Sequence, residues 1–193
     1  MVAAPILPLR PRALAAVSRA GAPEASGSRR AQGGLPRGRL IELAGGPDAA
    51  RTSAAVQICL ASQREGDPVA WIQPRGGSLY PPDLAAAGLD LRALLVVHVP
   101  PSAGAAGAPK ATELALRTGA FGAVVLDVSE VPVPRGEAWL GRLATLCREH
   151  DSRAVLLGPH AERSLGPLVP LRLRPRRRRV RPGRHRIDTE VLK

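Results

Sequence analysis

The most informative segment of this chain is Gly45-Gly46-Pro47-Asp48-Ala49-Ala50-Arg51-Thr52. It has the length and terminal hydroxyl of a phosphate-binding loop, G-x-x-x-x-G-K-[ST], but keeps only two of the four defining residues. Ala50 replaces the glycine that lets backbone N–H groups close on phosphates. Arg51 replaces the lysine, and its broad planar guanidinium cannot fill the space of a compact ammonium. The predicted degenerate phosphate site comprises Gly45, Gly46, Ala50, Arg51, Thr52 and Ser53.

The flanking residues predict a strand before this loop and a helix after it. Residues 33–43 read as a turn and an apolar strand, and residues 52–66 as a helix closed by Gln-Arg-Glu-Gly. They resemble the start of the RecA recombinase core, where G-G-L-P-x-G-R-hydrophobic-x-E precedes the loop and Q-R-E-G closes its helix. Residues 87–95 echo L-G-x-D-x-x-x-L-L of that family, and residues 124–128 resemble its Walker B strand. The resemblance covers about residues 33–193 and is strongest in its first third.

Strand and helix patterns alternate along the chain from Arg39. We predict strands at 39–43, 69–72, 94–98, 123–127 and 154–157, and helices at 52–65, 82–87, 111–118 and 139–150. Such alternation is typical of an α/β fold with a doubly wound, mostly parallel sheet. Its ligands lie at the carboxyl ends of the strands.

Composition divides the chain into three predicted parts. Residues 1–32 are rich in Pro, Ala and Arg and are predicted to be a flexible arm, with a short helix at 12–20. Residues 33–167 form the RecA-like α/β core. Residues 168–193 alternate apolar and basic side chains around a Pro182-Gly183 turn, which predicts a C-terminal antiparallel hairpin with a basic face.

Two further positions bear on catalysis. Asp127 ends an apolar strand where the resemblance implies a Walker B aspartate. Arg75 stands where the resemblance implies the hydrolytic glutamate, and a cation cannot accept a proton from an attacking water. We therefore predict no catalytic residue, no metal site and no enzymatic activity. His160 falls where the family has a glutamine that couples nucleotide to DNA, but a lone loop histidine is more often simply solvated.

The charge favours polyanionic partners. The formal net charge is +12, with an isoelectric point near 11.5. Arginines bind phosphates bidentately, but no aromatic side chains lie among those of the hairpin, so base stacking is not supported. The predicted contacts to nucleic acid or a protein partner are Arg172, Arg174, Arg176, Arg177, Arg178, Arg179, Arg181, Arg184 and Arg186.

Several other classes are disfavoured by the sequence. Cys59 and Cys147 lie inside helical patterns and are predicted to be buried thiols rather than a disulfide. Cys147 and His150 lack a second ligand pair for zinc. No run of 18 apolar residues and no signal-peptide pattern occurs, so the expected location is cytoplasmic.

A reduced RecA-like core with a corrupted phosphate loop and a basic hairpin resembles the ImuA group. That resemblance implies a damage-response (SOS) accessory role in DNA repair and translesion synthesis, through binding single-stranded DNA without sequence specificity, a RecA-type recombinase or polymerase components. No cofactor is predicted outright, and ATP with Mg²⁺ bound without hydrolysis stays open. The alternatives are an ATP-dependent recombinase that uses Asp83 or Glu130, a SulA-like division inhibitor, and a simple basic nucleic-acid-binding protein.

Overall fold

Strands and helices alternate as the sequence predicts in the computed structural model, which describes residues 6–7, 35–45, 50–77, 79–129, 131–158, 165–182 and 184–193. Its strands are β1 (Ile6–Leu7), β2 (Arg39–Leu43), β3 (Val69–Pro74), β4 (Leu94–Val99), β5 (Ala123–Asp127), β6 (Arg153–Leu157), β7 (Leu171–Arg181) and β8 (Arg184–Val191). Its helices are α1 (Arg51–Arg64), α2 (Pro81–Ala86), α3 (Gly104–Arg117) and α4 (Ala138–Glu149).

Most predicted bounds lie within two residues of those observed, but helix α3 begins seven residues earlier than expected. The sequence does not predict its first two turns, because they contain Gly104, Gly107 and Pro109, and glycine and proline are poor helix formers. Ala108 and Pro109 are buried on the inner side of the helix. Packing against the sheet therefore overrides the low local propensity.

The described strands form one sheet in the order β1-β8-β7-β2-β6-β5-β3-β4. Every neighbouring pair is parallel except β7 and β8, which form the antiparallel hairpin. This confirms the predicted α/β fold with a mostly parallel sheet and a C-terminal hairpin. Leu157 is in register with both Leu43 and Asp127, so β2, β6 and β5 end side by side. That shared edge is where the α/β topology predicts a ligand site.

An apolar layer covers each face of the sheet. On one face, Leu43 and Val125 pack with Val56 and Cys59 of α1. On the other, α3 and α4 cover Leu40 and Leu156, with Cys147 among the buried residues. Both cysteines are buried and form no disulfide, as predicted, and burial raises the pKa of each thiol to about 12. The thiols therefore belong to the core rather than to a reactive site.

A charged network holds the opposite, amino end of the sheet. The guanidinium of Arg153 is 1% exposed and donates through Nη1 and Nη2 to the two carboxylate oxygens of Glu65, at 3.0 and 3.1 Å. Arg37 reaches the same carboxylate and also Asp67 and Asp151. Desolvation alone would lower the pKa of Arg37, but hydrogen bonds to Asp67 and Glu65 raise it above its usual value. The network joins the end of α1 to the start of β6.

A second contact at this end joins residues from two of the sequence motifs. Gln63 donates to the carbonyl of Asp90 at 2.9 Å, and the backbone N–H of Asp90 donates back to Gln63 at the same distance. Gln63 comes from the Gln-Arg-Glu-Gly segment, and Asp90 from the segment at 87–95. The motifs that carry the family resemblance thus fasten α1 to the approach to β4.

The N-terminal residues expected to be a flexible arm include one described strand. Ile6–Leu7 runs parallel to β8, with Ile6 opposite His185 and Leu7 opposite Arg186. The predicted helix at 12–20 lies outside the described residues. The pairing places a third strand beside the basic hairpin.

Candidate functional site

The candidate site lies where β2, β5 and β6 end and helix α1 begins. Parallel pairing brings the ends of these strands together, and the loop after β2 leads into α1. In a phosphate-binding loop, this arrangement points backbone N–H groups of the loop and helix start at an anion. Residues 46–49 of the predicted loop, Gly46 among them, lie outside the described part of the chain.

The side chain of Arg51 reaches across this edge. Its Nη1 donates to Oγ of Ser129 at 3.1 Å and also to the backbone carbonyl of Gly158. Oγ of Ser129 lies 3.4 Å from the carbonyl oxygen of Leu157, to which it donates its single proton. One guanidinium therefore links the first turn of α1 to the residues that follow β5 and β6.

Asp127 has a local partner at the same edge. Its Oδ1 accepts the backbone N–H of Ser129 at 3.0 Å. The N–H of Val128, between them, donates to the carbonyl of Leu157 at 3.2 Å. Asp127 thus fixes the turn after β5, and its predicted descent from a metal-binding aspartate stays a prediction.

The remaining residues of the predicted phosphate site are placed around the start of α1. Ala50 takes φ −76° and ψ 43°, and this negative φ lies outside the left-handed region that favours glycine. Gly45 is buried with φ 149°, whereas Thr52 is exposed and Ser53 is half-buried. No side chain caps the helix, and its first turn contains no acidic residue. In the described residues, the only charged side chain reaching across this edge from α1 is that of Arg51.

Arg75 lies in the exposed turn after β3. Its backbone N–H donates to the carbonyl of Val99 at 3.0 Å, and Gly76 follows with φ +86°. Between Val69 and Gly77 the chain contains no carboxylate. Asp83 lies in the first turn of α2 and is exposed, while Glu130 and His160 fall outside the described residues.

The hairpin arginines do not share one environment, and Arg172 is a correction to the predicted contact surface. It is 9% exposed, and its Nε lies 3.3 Å from Oε1 of Glu42, which is fully buried. Glu42 also accepts the backbone N–H of Leu165 at 3.3 Å. A buried carboxylate needs such partners, so Arg172 serves the core.

The other hairpin arginines divide into paired and unpaired groups. Arg174 and Arg176 share the carboxylate of Glu190, at 3.6 and 3.4 Å, and Arg186 lies 2.8 Å from Asp188. Nothing is described for the side chain of Arg184. The exposed hairpin arginines without an ion pair in the described structure are Arg177, Arg178, Arg179 and Arg181.

Sequence reasoning missed Ser129, Gly158 and Glu42. Glu42 left a usable signal, because a glutamate inside an otherwise apolar strand requires a buried cation. Ser129 and Gly158 left none, since a hydroxyl and a carbonyl after a strand are common in any loop.

Known proteins share the part of the chain that contains β2 to β5 and helix α1. A family model described as RecA N-terminal domain matches residues 22–145. The RecA proteins of Salinispora tropica and Rubrobacter xylanophilus are 35% and 36% identical to this chain over 105 residues. The aligned segment makes up 54% of this chain and 29% of each relative. The chain thus matches less than a third of the length of these relatives.

Within the described part of the chain, no helix combines the length and the apolar character needed to cross a bilayer.

Proposed function

We propose, from the premise that this chain belongs to the RecA N-terminal domain family, that it is a non-catalytic accessory protein of DNA repair. It keeps the family's core as a scaffold and acts by binding. The relatives carry the name Protein RecA, and the match covers only 29% of each of them. The proposal that this chain, unlike an active ATPase, does not hydrolyse ATP therefore rests on the residues at the carboxyl edge of the sheet.

The observation that carries this proposal is the position of Arg51. Its guanidinium donates to Ser129 and to Gly158, in the space between the helix start and the ends of two strands. A nucleotide phosphate placed there would have to displace these bonds, and hydrogen bonds to a charged group are each worth about 1.5–3 kcal/mol. The arrangement favours a site filled by the protein's own cation.

The surroundings of β3 support the same proposal. Phosphoryl transfer to water needs a group that orients the nucleophile, and a carboxylate commonly does so. The corresponding turn carries Arg75, which is exposed and cationic. Without a phosphate-loop lysine and without a carboxylate in this turn, hydrolysis would lack both groups on which the family's reaction depends.

Within DNA repair, the more specific role that we propose is an ImuA-like one in damage-induced translesion synthesis. The chain would consist of an N-terminal arm (1–32), a RecA-like core (33–167) and a basic hairpin (168–193), with the hairpin as the contact surface. The RecA relationship and the net charge of +12 support DNA as one partner. A RecA-type recombinase and translesion polymerase components are the proposed protein partners.

The test is ATP hydrolysis by the purified chain with Mg²⁺ and single-stranded DNA. We expect turnover no faster than in buffer. Combining Ala50→Gly with Arg51→Lys should restore ATP binding before any turnover, because position 75 still lacks a carboxylate. Turnover in the usual enzyme range that Asp127→Asn abolishes would contradict the proposal. It would favour the ATP-dependent recombinase instead.

A further inference from the structure

Basic charge is concentrated at one end of the molecule. Residues 171–193 contain ten cationic side chains and two carboxylates, against a net charge of +12 for the whole chain. Strand β7 leaves the core after Pro175, since the side chains from Arg176 onward are exposed. The distal part of β7, residues 176–181, is therefore a solvent-facing cationic segment.

The register of β7 and β8 assigns the distal arginines to two faces. Directly opposed residues share a face, and successive residues alternate between faces. Arg177 opposes Ile187 and Arg179 opposes His185, and Ile187 belongs to the core layer beneath α1. We call this side, with Arg177 and Arg179, the open face.

The opposite side carries the carboxylates, and we call it the paired face. Arg176 opposes Asp188 and Arg178 opposes Arg186 across the two strands. Arg176 lies 3.4 Å from Glu190, and Arg186 is paired with Asp188. A phosphate approaching this face would meet two carboxylates and would compete with existing ion pairs.

The open face has no such competition. Among the described side chains of β7 and β8, no carboxylate lies on it, and Arg177 and Arg179 have no ion pair. Arg177 instead lies beside an uncharged ring, since its Nη2 is 3.2 Å from Nδ1 of His185. Two residues along a strand span about 6.6–6.8 Å, so the two guanidinium groups present a regular pair of phosphate contacts.

The shape of this surface argues against reading bases. A two-stranded ribbon fits the major groove, but β1 adds a third strand beside β8 at His185 and Arg186. No aromatic side chain lies in β7 or β8 to stack on single-stranded bases, a contact worth about 1–3 kcal/mol per base. A duplex offers more closely spaced phosphates than a single strand, about one charge per 1.7 Å of axis.

We infer that the open face, through Arg177 and Arg179, binds the phosphate backbone of duplex DNA without base readout. The inference rests on the proposed function in one respect only, that DNA is a partner. It replaces the predicted preference for single strands and does not depend on nucleotide.

The test compares two matched double variants, Arg177→Ser with Arg179→Ser and Arg176→Ser with Arg178→Ser. Each removes two exposed charges from the same run of arginines, but from opposite faces. Binding of a fluorescent duplex is followed by anisotropy over a range of salt concentrations. The open-face variant should flatten the salt slope by about 1.8, or 0.9 for each lost phosphate contact. The paired-face variant should change it by less than about half that amount.

Several outcomes would overturn this inference. Equal loss in the two variants would mean that the hairpin acts only through its total charge. Tighter binding to a single strand with the same number of phosphates would show that the duplex is not the preferred ligand. No binding to either DNA would mean that the hairpin contacts a protein partner instead. Thermal unfolding of both variants at the wild-type temperature controls for misfolding. ATP hydrolysis, measured separately, tests the proposed function whatever the DNA result.

Discussion

The two ends of the parallel sheet use their arginines in opposite ways. At the amino end, the buried guanidinium of Arg153 is matched by the carboxylate of Glu65. At the carboxyl end, Arg51 donates to neutral acceptors of Ser129 and Gly158. At one end carboxylates pair with the guanidinium groups, and at the other end the guanidinium has only uncharged acceptors.

The residues that match the family pattern and the residues that differ from it lie at opposite ends of the sheet. Glu65, Gln63 and Asp90 come from the segments that resemble the RecA core, and all three lie at the amino end of the sheet. The positions at which the chain departs from the family pattern, Ala50, Arg51 and Arg75, lie at the carboxyl end. The family resemblance therefore supports the fold of this chain, whereas a change in its chemistry remains a proposal.

The largest expected effect is at the amino end. Arg153→Ala should lower the free energy of unfolding by about 2–4 kcal/mol, because it empties a buried position and leaves the carbonyl of Leu35 and the hydroxyl of Ser62 without their donor. Urea denaturation measures this loss. Arg148→Ala, in an exposed part of α4, is the control and should stay within about 0.5 kcal/mol of wild type. An Arg153 variant as stable as this control would mean that the network does not hold the scaffold.

A smaller loss is expected at the carboxyl end. Arg51→Ala should cost about 1–2 kcal/mol, because the carbonyl of Gly158 and the hydroxyl of Ser129 lose a charged donor at a half-buried position. Arg51→Lys keeps a charged donor and should lose less. If Arg51→Ala were as stable as wild type in the same urea titration, Arg51 would not be a structural part of the edge.

The smallest effect is expected one residue further along α1. Thr52 is exposed, so Thr52→Ala should change the unfolding free energy by less than about 0.5 kcal/mol. The comparison with Arg51→Ala tests whether this edge depends on the arginine rather than on the hydroxyl. A decrease of more than about 1 kcal/mol in the unfolding free energy would show that the Thr52 hydroxyl stabilises this edge through a hydrogen bond.

The sequence predicted the succession of strands and helices along the chain well, because apolar periodicity distinguishes the two. It missed the first half of α3, where Gly104, Gly107 and Pro109 look like a loop until the sheet packs against Ala108. The predicted strand at 154–157 also omits Arg153, which is the first residue of β6. An arginine at a strand end reads as solvated until its buried partner is known.

The candidate site was predictable only in part. The substitutions at Ala50 and Arg51 are visible as departures from a motif, so the sequence alone predicts a degenerate phosphate loop, and this stays a prediction. The contacts of Arg51 with Ser129 and Gly158 could not, since they span 78 and 107 residues. The hairpin arginines look like one uniform basic run in the sequence. Only the strand register and the contact with Glu42 show that Arg172 belongs to the core and that the others lie on two faces.

The most direct test of a phosphate site filled by Arg51 is the thermal unfolding temperature with and without millimolar ATP and Mg²⁺. We predict no change, because a ligand that does not bind the folded state cannot stabilise it. A rise of several degrees that Thr52→Ala abolishes would contradict the central claim. It would show that nucleotide displaces Arg51 and occupies a working phosphate site.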